Sequence, residues 1–486
     1  RVETLARPSP KTTPDEWGAA NRTYAATSGV PGKRNPGLTP YIIEFGRVTA
    51  SRRRKKTVLV MFAQGGKALA LETRLPTPDG WTTMGDVRVG DRLFDENGVP
   101  CDVVAVSPVM VEHDCYRVSF SDGTSIVADA EHRWSVVPLG RSRSNHARIM
   151  TTEEISSRVH RNGSSTVCQW GIPVAGGLSL ADAELPIPPY VFGVWLGDGH
   201  SYSGQISSGS EDVEEMSSLI DAEGCSVVVR QDKTCWTLIV DPREMVDPDY
   251  RGSYCGYPDA NAYARAAYAQ RKHGVPMERS GGRDLTLSAR LRELGVIGEK
   301  RIPAPYLRAS YAQRLALLQG LMDSDGWCSK DSGKCEIGLT SQALAEDVLE
   351  LVRSVGLKPT VSDRAAKIDG REVSRVYRIR FMAYSETTPV FRLGRKLTRM
   401  RSRLDPRSRV TETERRSIIS VEKVESVPVK CVAIDSPSHL YLAGDGMVPT
   451  HNTEGLFDVV GARLDQSPVP IIWLGPNKQF LTEQLE

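Results

Sequence analysis

The chain has 486 residues, 40% of them hydrophobic, which is enough for several domains with apolar cores. Its 62 lysines and arginines nearly balance 60 acidic residues, so the net charge of +2 neither requires nor excludes a nucleic-acid partner. Nine cysteines without a Cys-x-x-Cys pair argue against a disulfide framework and favour a reducing compartment. No run approaches the roughly 18 apolar residues of a membrane helix. We therefore expect a multidomain cytoplasmic protein without a membrane partner.

The first informative element is a predicted strand, "TVLVMF", followed by Gly66 and Lys67. A glycine and a lysine after a strand are typical of a phosphate-binding loop. Such a loop next needs a serine or threonine hydroxyl for a magnesium ion, and then a helix. Here Ala68 follows instead, and Pro76 and Pro78 oppose a helix. The loop is therefore incomplete at this point of the chain.

Two segments, 68–165 and 411–452, are rich in short strands, Gly-Asp turns and alternating apolar residues, which predicts an all-β fold. The first contains "DGTSIVADAEHRWSV", and the second ends in "CVAIDSPSHLYLAGDGMVPTHN". Their candidate functional side chains are His132, Trp134, Cys431, Thr450, His451 and Asn452.

The middle segment, 166–410, has longer helical periods and many arginines, which predicts a separate α+β domain. The stretches "PPYVFGVWLGDG" and "RLALLQGLMDSDG" are each predicted to form an apolar helix with one internal glycine, Gly193 or Gly320. Because glycine permits close approach, two such helices could pack together and bring their terminal Asp198 and Asp325 to one point.

The basic run 392–409 could contact a nucleic-acid backbone or form a solvated face. The alanine- and tyrosine-rich stretch 256–274 is predicted to be helical, and its sequence indicates no role.

The end of the chain supplies what the incomplete loop lacks. From Thr453 to Leu464 apolar residues fall at helical spacing, and "VPIIWLG" then has the pattern of a buried strand. Joining Lys67 directly to Thr453 gives "VLVMFAQGGKTEGLFDVVGARL", a strand, a Gly-Lys-Thr loop and a helix. Residues 68–452 therefore have the pattern of an insertion that must be removed. The predicted segments are 1–67, 68–165, 166–410, 411–452 and 453–486.

The edges of this insertion resemble an intein, a self-splicing protein element. The opening "ALALETRLPTPDGWTTMGDVRVGDRLFDENG" and the closing stretch quoted above carry the resemblance. Most inteins begin with cysteine or serine and have an aspartate where Cys431 stands, but here the first residue is Ala68. The set of Trp134, Cys431 and Thr450, with alanine at position one, resembles the class 3 inteins. The resemblance implies that Cys431 attacks the carbonyl of the Lys67–Ala68 bond.

A thiolate is the best nucleophile available, and holding it against one carbonyl makes the attack intramolecular. His132 is the candidate general acid at the upstream bond. The resemblance implies that the acyl group then passes from Cys431 to the hydroxyl of Thr453. Asn452 would next form a succinimide, with His451 placed to assist, and the ester would rearrange to an amide. No cofactor is implied for these steps.

Several positions near the predicted splicing site leave their roles open. Trp134 could pack beneath the site without taking part in the chemistry, and His439 could be structural. Asp129 stands where a threonine is usual, which leaves open how the upstream bond is polarised. Asp435 could orient a partner or cap a turn.

The two glycine-bearing helices resemble the paired LAGLIDADG motifs of homing endonucleases. The resemblance implies a pseudo-two-fold axis and Mg²⁺ held by Asp198 and Asp325 at the phosphates of double-stranded DNA. Lys300, in "EKRIPAPYLRAS", would lie near the scissile phosphate. Strands in "SVVVRQDKTCWTLIV" and "KPTVSDRAAKIDGREVSRVYRIRF" would contact phosphates and base edges in the major groove. We expect a monomeric element.

The flanks, with "TPYIIEF" and "AQGGKTEG", resemble the α/β P-loop ATPase of a phage terminase large subunit. The resemblance implies that Gly66, Lys67 and Thr453 bind ATP and Mg²⁺ after splicing, with packaged phage DNA as a partner inside a bacterial cell. A helicase is the alternative P-loop motor. Two further alternatives are an autoprocessing domain that cleaves without ligating, and a stable ATPase with a permanent DNA-binding insertion.

Overall fold

The structure is a computed structural model, and it divides the chain into two compact units, Arg1–Gly65 with Thr453–Glu486, and Gly66–Asn452. The described residues are 23–24, 32–33, 68–139, 146–158, 170–231, 236–242, 286–368, 371–406, 408 and 410–451. In the first unit they form two paired antiparallel strands, β1 (Thr23–Tyr24) and β2 (Gly32–Lys33).

Several sequence predictions lie outside the described residues. They are the α/β P-loop of the flanks with Gly66, Lys67 and Thr453, the residue Asn452, and the stretch 256–274.

The second unit begins with a β portion, here the described residues of 68–173 together with 410–451. Short strands separated by tight turns make up its first half, as the alternating apolar pattern predicts. They are β3 (Leu69–Ala70), β4 (Arg74–Thr77), β5 (Gly80–Thr83), β6 (Arg92–Phe94), β7 (Pro100–Val106), β8 (Cys115–Phe120), β9 (Ser125–Asp129), β10 (Arg133–Pro138), β11 (Arg148–Thr151) and β12 (Trp170–Pro173). One short helix, α1 (Thr152–Arg158), lies between the last two strands.

The middle portion, the described residues of 189–406, alternates helices and strands. Its first half contains α2 (Pro189–Asp198), β13 (Gln205–Ser208), α3 (Val213–Ala222), β14 (Cys225–Gln231), β15 (Trp236–Pro242), α4 (Leu287–Glu293) and α5 (Ala304–Leu307). Its second half contains α6 (Tyr311–Ser324), β16 (Gly326–Cys328), β17 (Lys334–Leu339), α7 (Gln342–Ser354), β18 (Thr360–Ile368), β19 (Arg371–Met382) and α8 (Gly394–Leu397). The first sheet has the order β13-β15-β14, and the second has the matching order β17-β19-β18 with β16 added beside β17. This repeated order agrees with the predicted pseudo-two-fold arrangement.

The chain then returns to the β portion. The returning elements are α9 (Val410–Thr413), β20 (Arg415–Val424), β21 (Val429–Lys430), β22 (Val432–Ile434), β23 (Leu440–Ala443) and β24 (Val448–His451). An eight-stranded sheet has the order β11-β10-β12-β20-β8-β9-β3-β21, so β20 and β21 from the returning chain pair with strands of the first half.

Two details of the sequence prediction need correction. The strand β12 pairs with β20 and β10, so it belongs to the β portion, although the predicted boundary at residue 165 assigned it to the middle domain. The β portion also contains the helices α1 and α9, so it is mostly rather than entirely β. Pairing with distant strands determined the assignment of β12, and local composition does not record such pairing.

The centre of the middle portion is the contact between α2 and α6. The helix α6 begins with a capping box, in which the Ser310 hydroxyl accepts from the Gln313 amide and the Gln313 side chain accepts from the Ser310 amide. A Cβ added at Gly193 would lie 2.2 Å from the Leu317 carbonyl oxygen, and one at Gly320 would lie 2.1 Å from that of Tyr190. The predicted close approach of two helices at their glycines is therefore confirmed.

A membrane-spanning helix would have to be longer and more apolar than any helix in the described part of the chain.

Candidate functional site

The upstream end of the insertion lies at the centre of a three-strand arrangement. Leu69 of β3 pairs with Ala128 of β9 on one side and with Lys430 of β21 on the other. The same registers extended by one residue place Ala68 opposite Asp129 and Cys431, and the Asp129 amide donates to the Ala68 carbonyl at 3.0 Å. Directly opposed residues of antiparallel strands have Cα atoms about 5 Å apart. The fold thus brings Cys431 to the first residue of the insertion.

Cys431 is only 5% exposed and is held through its backbone. Its amide donates to the Ser107 hydroxyl at 2.9 Å, and its carbonyl accepts from the Ser107 amide at 2.9 Å. Ser107, which the sequence analysis did not single out, therefore positions the nucleophile candidate on both sides of its peptide group. A serine in a turn before a proline gives no sequence signal for this role.

Tyr441 is a second residue that the sequence analysis missed. Complete burial raises the pKa of its phenol, and the neighbouring Cys431 and Asp129 raise it further. The phenol therefore stays neutral and is available as a hydrogen-bond donor between these two groups.

His132 is fully buried and is held by both of its predicted companions. Its Nε2 is hydrogen-bonded to the Thr450 hydroxyl, and the Trp134 ring lies edge-on to the imidazole with centroids 4.8 Å apart. The Trp134 indole donates to the Thr152 hydroxyl at 3.0 Å, and that hydroxyl donates to the His132 carbonyl at 3.2 Å. The structure thus brings Trp134, His132 and Thr450 together, with Trp134 as a packing and orienting residue.

The strand β24 carries Thr450 and His451 to the downstream end of the insertion. Tyr441 pairs with Thr450, and Leu440 pairs with His451. The rings of His439 and His451 stack with centroids 6.4 Å apart, so His439 packs against the residue next to the downstream junction. Asn452 and Thr453 follow directly in the chain, outside the described residues.

The structure shows the contacts of Asp435 and Asp129, whose roles the sequence leaves open. The Asp435 carboxylate accepts from the Asp102 amide at 2.8 Å, which fastens the end of β22 to β7. Asp129 is buried beside Ala68, and its Oδ2 lies 3.3 Å from the Nδ1 of His113. Burial raises the pKa of Asp129 to about 7, although the Ala68 amide and His113 favour the charged form.

A second site lies where α2 and α6 end together. Asp198 is the last residue of α2, and Asp325 is the C-terminal cap residue of α6. Partial burial and the nearby charge of Asp325 raise the pKa of Asp198 to about 6. This repulsion indicates that the two carboxylates share one small space, as the sequence predicts.

Two lysines lie near the carboxylates, one at the end of each helix. The Lys300 ammonium donates to the carbonyls of Leu196, Gly197 and Gly199 at the end of α2, at 2.7 to 3.0 Å. The Lys396 ammonium donates in the same way to four carbonyls at the end of α6, at 2.6 to 3.0 Å. Lysine at a helix C-terminus is favoured by the negative end of the helix dipole.

Sequence reasoning singled out Lys300 and missed Lys396. The repeat of the two helix motifs could have identified Lys396. If a lysine contacts the end of one helix, the repeat predicts a second lysine at the end of the other helix.

Two arginines of the basic run 392–409 also form ion pairs within the protein. Arg392 pairs with Glu223 at 2.6 Å, and Arg395 pairs with Asp212. Lys396 is buried, so the alternative of a solvated face is wrong for this residue. Contact of the run with a DNA backbone stays a prediction.

Asp323, also in the second helix motif, is a structural residue. Its carboxylate accepts from the Tyr190 hydroxyl at 2.9 Å and from the amides of Arg392 and Leu393. This agrees with the expectation that Asp325, and not Asp323, is the ligand candidate.

The carboxylates of Asp198 and Asp325 fit a divalent cation of the hard type, because paired carboxylate oxygens that repel each other are stabilised by such an ion. No group of three or more His, Cys, Asp or Glu side chains with metal-binding geometry occurs among the described residues. A cation here would therefore depend on these two carboxylates, with remaining ligands from water and DNA.

Comparison with known proteins bears directly on the middle portion. Residues 302–391 match the protein-family model described as homing endonuclease. This stretch of the middle portion is therefore similar to homing endonucleases. The chain is also 29% identical over 212 residues to the homothallic switching endonuclease of Saccharomyces cerevisiae, a match that covers 41% of this chain and 33% of that protein.

A longer match extends beyond residues 302–391. The chain is 35% identical over 403 residues to a protein of Mycobacterium intracellulare named replicative DNA helicase DnaB. This match covers 80% of the chain and 59% of the relative, so the chain spans about three fifths of that protein's length. The crystal structure of the MchDnaB-1 intein is similar over 79% of this chain and 99% of that chain, at 19% identity and a TM-score of 0.24.

The family match relates residues 302–391 to homing endonucleases, and the long match corrects the expectation for the host. The phage terminase is not supported, because the long match is to a protein named as a replicative helicase. Local loop residues such as "QGGKT" are shared by many P-loop motors, so they could not separate these classes.

Proposed function

We propose that residues 68–452 excise themselves from the chain and join Lys67 to Thr453. The observation that carries this proposal is the position of β3 between β9 and β21, with Cys431 opposite Ala68. A cysteine that lay elsewhere in the fold could not reach the upstream bond.

The proposed reaction starts at Cys431. Its sulfur forms a bond to the Lys67 carbonyl carbon while the bond to the Ala68 nitrogen breaks, so the thiol loses one proton and the nitrogen gains one. The acyl group then moves from sulfur to the Thr453 hydroxyl oxygen. The proximity of these groups replaces an intermolecular step by an intramolecular one.

The downstream bond would be cut by Asn452. Its side-chain amide nitrogen attacks its own carbonyl carbon, which forms a succinimide and releases the Thr453 amine. That amine then displaces the ester oxygen, leaving an amide between Lys67 and Thr453. His451, at the end of β24, is proposed to assist, and His132 is proposed to move protons within the site that Trp134 and Thr450 shape.

Intact mass spectrometry of the expressed chain tests this function, beside Cys431→Ala and Asn452→Ala. We expect one product in which residues 1–67 are joined to 453–486, a second product of residues 68–452, and no ligation in either variant. Separate unligated pieces would favour a cleaving domain. A stable full-length chain would favour a permanent insertion.

We further propose that the homing endonuclease domain cuts double-stranded DNA with Mg²⁺ held by Asp198 and Asp325. When bound, the ion would activate water and stabilise the leaving oxygen. Lys300 and Lys396 hold the two helix ends, and with them the carboxylates, in a fixed geometry. A plasmid that carries the uninterrupted gene should be linearised by the native chain and remain intact with Asp198→Asn or Asp325→Asn.

For the host, we propose a P-loop ATPase of the replicative DNA helicase class, with ATP and Mg²⁺ bound at Gly66, Lys67 and Thr453 after splicing. The name of the long-matching relative supports this class, which the sequence leaves open as the alternative motor. The test is ATP-dependent strand separation of forked DNA by the complete spliced host. ATP hydrolysis without strand separation would contradict it.

A further inference from the structure

Asp129 is the acidic side chain placed directly at the bond that must break first. The register of β3 and β9 sets it opposite Ala68, and its amide donates to the Ala68 carbonyl at 3.0 Å. Its side chain is 1% exposed, so water does not reach it freely. Among the described residues, its Oδ1 has no hydrogen-bond partner of normal geometry. A buried polar atom in this condition needs an explanation.

The protonation state of Asp129 gives that explanation. Burial raises its pKa to about 7, against the opposing effects of the Ala68 amide, the His113 imidazole and the His132 amide. Tyr441 and Cys431 face the same space from β23 and from the end of β21. The carboxyl group is therefore partly protonated at neutral pH, which suits proton donation at that pH.

We propose that Asp129 is the general acid that protonates the Ala68 nitrogen when Cys431 attacks the Lys67 carbonyl, an inference that rests on the proposed splicing function. The sulfur–carbon bond forms, the carbon–nitrogen bond breaks, and its electron pair goes to nitrogen. That nitrogen takes the Asp129 proton. The thiol proton goes to solvent, and Asp129 regains a proton from solvent through His113, so protons balance over the step.

The position of His132 favours Asp129, rather than His132, as the acid at the upstream bond. Its Nε2 is hydrogen-bonded to Thr450, on the strand that leads to the downstream junction. Asp129 instead lies on the strand that pairs with the upstream junction. His113 is 32% exposed and 3.3 Å from Asp129, which makes it a path between the buried carboxyl and water.

The test uses the full chain with Asn452→Ala and Thr453→Ala, so that reaction stops at the thioester on Cys431. Dithiothreitol then releases residues 1–67, and their rate of appearance by mass spectrometry reports the first step. We expect Asp129→Asn to slow this rate by at least about 100-fold, as for the loss of a general acid. Asp129→Glu should recover part of the rate. The control is Asp114→Asn, because Asp114 lies in an exposed ion pair with Lys423.

The pH profile of the same chain with Asp129 intact does not depend on how a variant folds. The rate should rise up to about pH 7 and then level off, because above this pH the loss of protonated Asp129 offsets the gain of thiolate. If Asp129 is not the acid, the rate continues to rise above pH 7 as the fraction of thiolate increases.

The outcomes separate this inference from the proposed function. A folded Asp129→Asn chain that reacts within threefold of the Asp129 chain would overturn the inference and leave splicing through Cys431 standing. A chain with Asp129 that releases no fragment with dithiothreitol would instead remove the proposed function.

Discussion

His132 and Thr450, 318 positions apart in the sequence, are joined by a hydrogen bond between Nε2 and Oγ1 in the interior of the β portion. This bond connects β10, which begins one residue after His132, with β24, which ends at the downstream junction. One buried side-chain pair therefore links the first half of the β portion to the strand that leads to the downstream junction.

Replacing Thr450 should disturb this link without creating a large cavity. Thr450→Val keeps the volume but leaves the His132 nitrogen without its hydroxyl partner, which costs about 1–3 kcal/mol for a buried polar group. We expect splicing to slow by about 10- to 100-fold, since each 1.4 kcal/mol of lost stabilisation is about a tenfold change in rate. Timed gel analysis of precursor and products measures it. Thr360→Val, at an exposed position of β18, should splice at the native rate.

The lysine that the sequence analysis missed should matter for DNA cleavage. Lys396→Met removes four charge-assisted hydrogen bonds from the end of α6, next to Asp325. We expect plasmid cleavage to fall by about 100-fold or more, a size typical for the loss of a positioned charge. Lys423→Met, an exposed lysine of the β portion, is the control. Equal cleavage by both variants would show that the matching positions of Lys300 and Lys396 have no functional meaning.

The two helix glycines should tolerate no side chain. Gly193→Ala or Gly320→Ala would place a methyl group about 2 Å from a backbone carbonyl of the other helix, so the helices must separate. We expect a loss of about 1–3 kcal/mol of stability from this overpacking, together with lost DNA cleavage. Thermal unfolding and plasmid cleavage measure the two effects. Gly209→Ala is the matched control, because a Cβ there meets no atom within 4 Å.

A buried ion pair, Arg416–Asp122, fastens β20 to the turn between β8 and β9 at 2.6 Å. Arg416→Met should destabilise the β portion by about 3–5 kcal/mol, because it leaves an unpaired buried carboxylate. Denaturant unfolding followed by a probe in the β portion measures this change. Lys423→Met, which breaks the exposed pair with Asp114, should leave the unfolding curve nearly unchanged.

The same ion pair predicts how the stability of the β portion changes with pH. Burial by itself would raise the pKa of Asp122, but the Arg416 charge holds this pKa below its ordinary value. A lowered folded-state pKa stabilises the protein above the ordinary aspartate pKa of about 3.9, and that stability is lost as the pH falls through the folded-state value. Between pH 5 and pH 2, the free energy of unfolding should therefore fall more steeply with decreasing pH for the native chain than for Arg416→Met. Parallel curves would contradict this assignment.

The sequence by itself determined the local chemistry of this protein. The helix glycines, the terminal Asp198 and Asp325, the position of Cys431 and the order of short strands could each be identified, because turn residues, periodicity and motif spacing are local properties. The middle domain was predicted as α+β with two related helices, and the family match agrees with a homing endonuclease there.

Only the tertiary structure decided which of these residues meet. That Ala68 lies between Asp129 and Cys431, and that Lys396 repeats the contacts of Lys300, follow from strand register and helix packing between distant segments. Only the tertiary structure also showed that β12 belongs to the β portion, where it pairs with β20. Pairing of this kind is decided by the free energy of the whole fold, since a strand gains its hydrogen bonds from any compatible edge and carries no local record of which one.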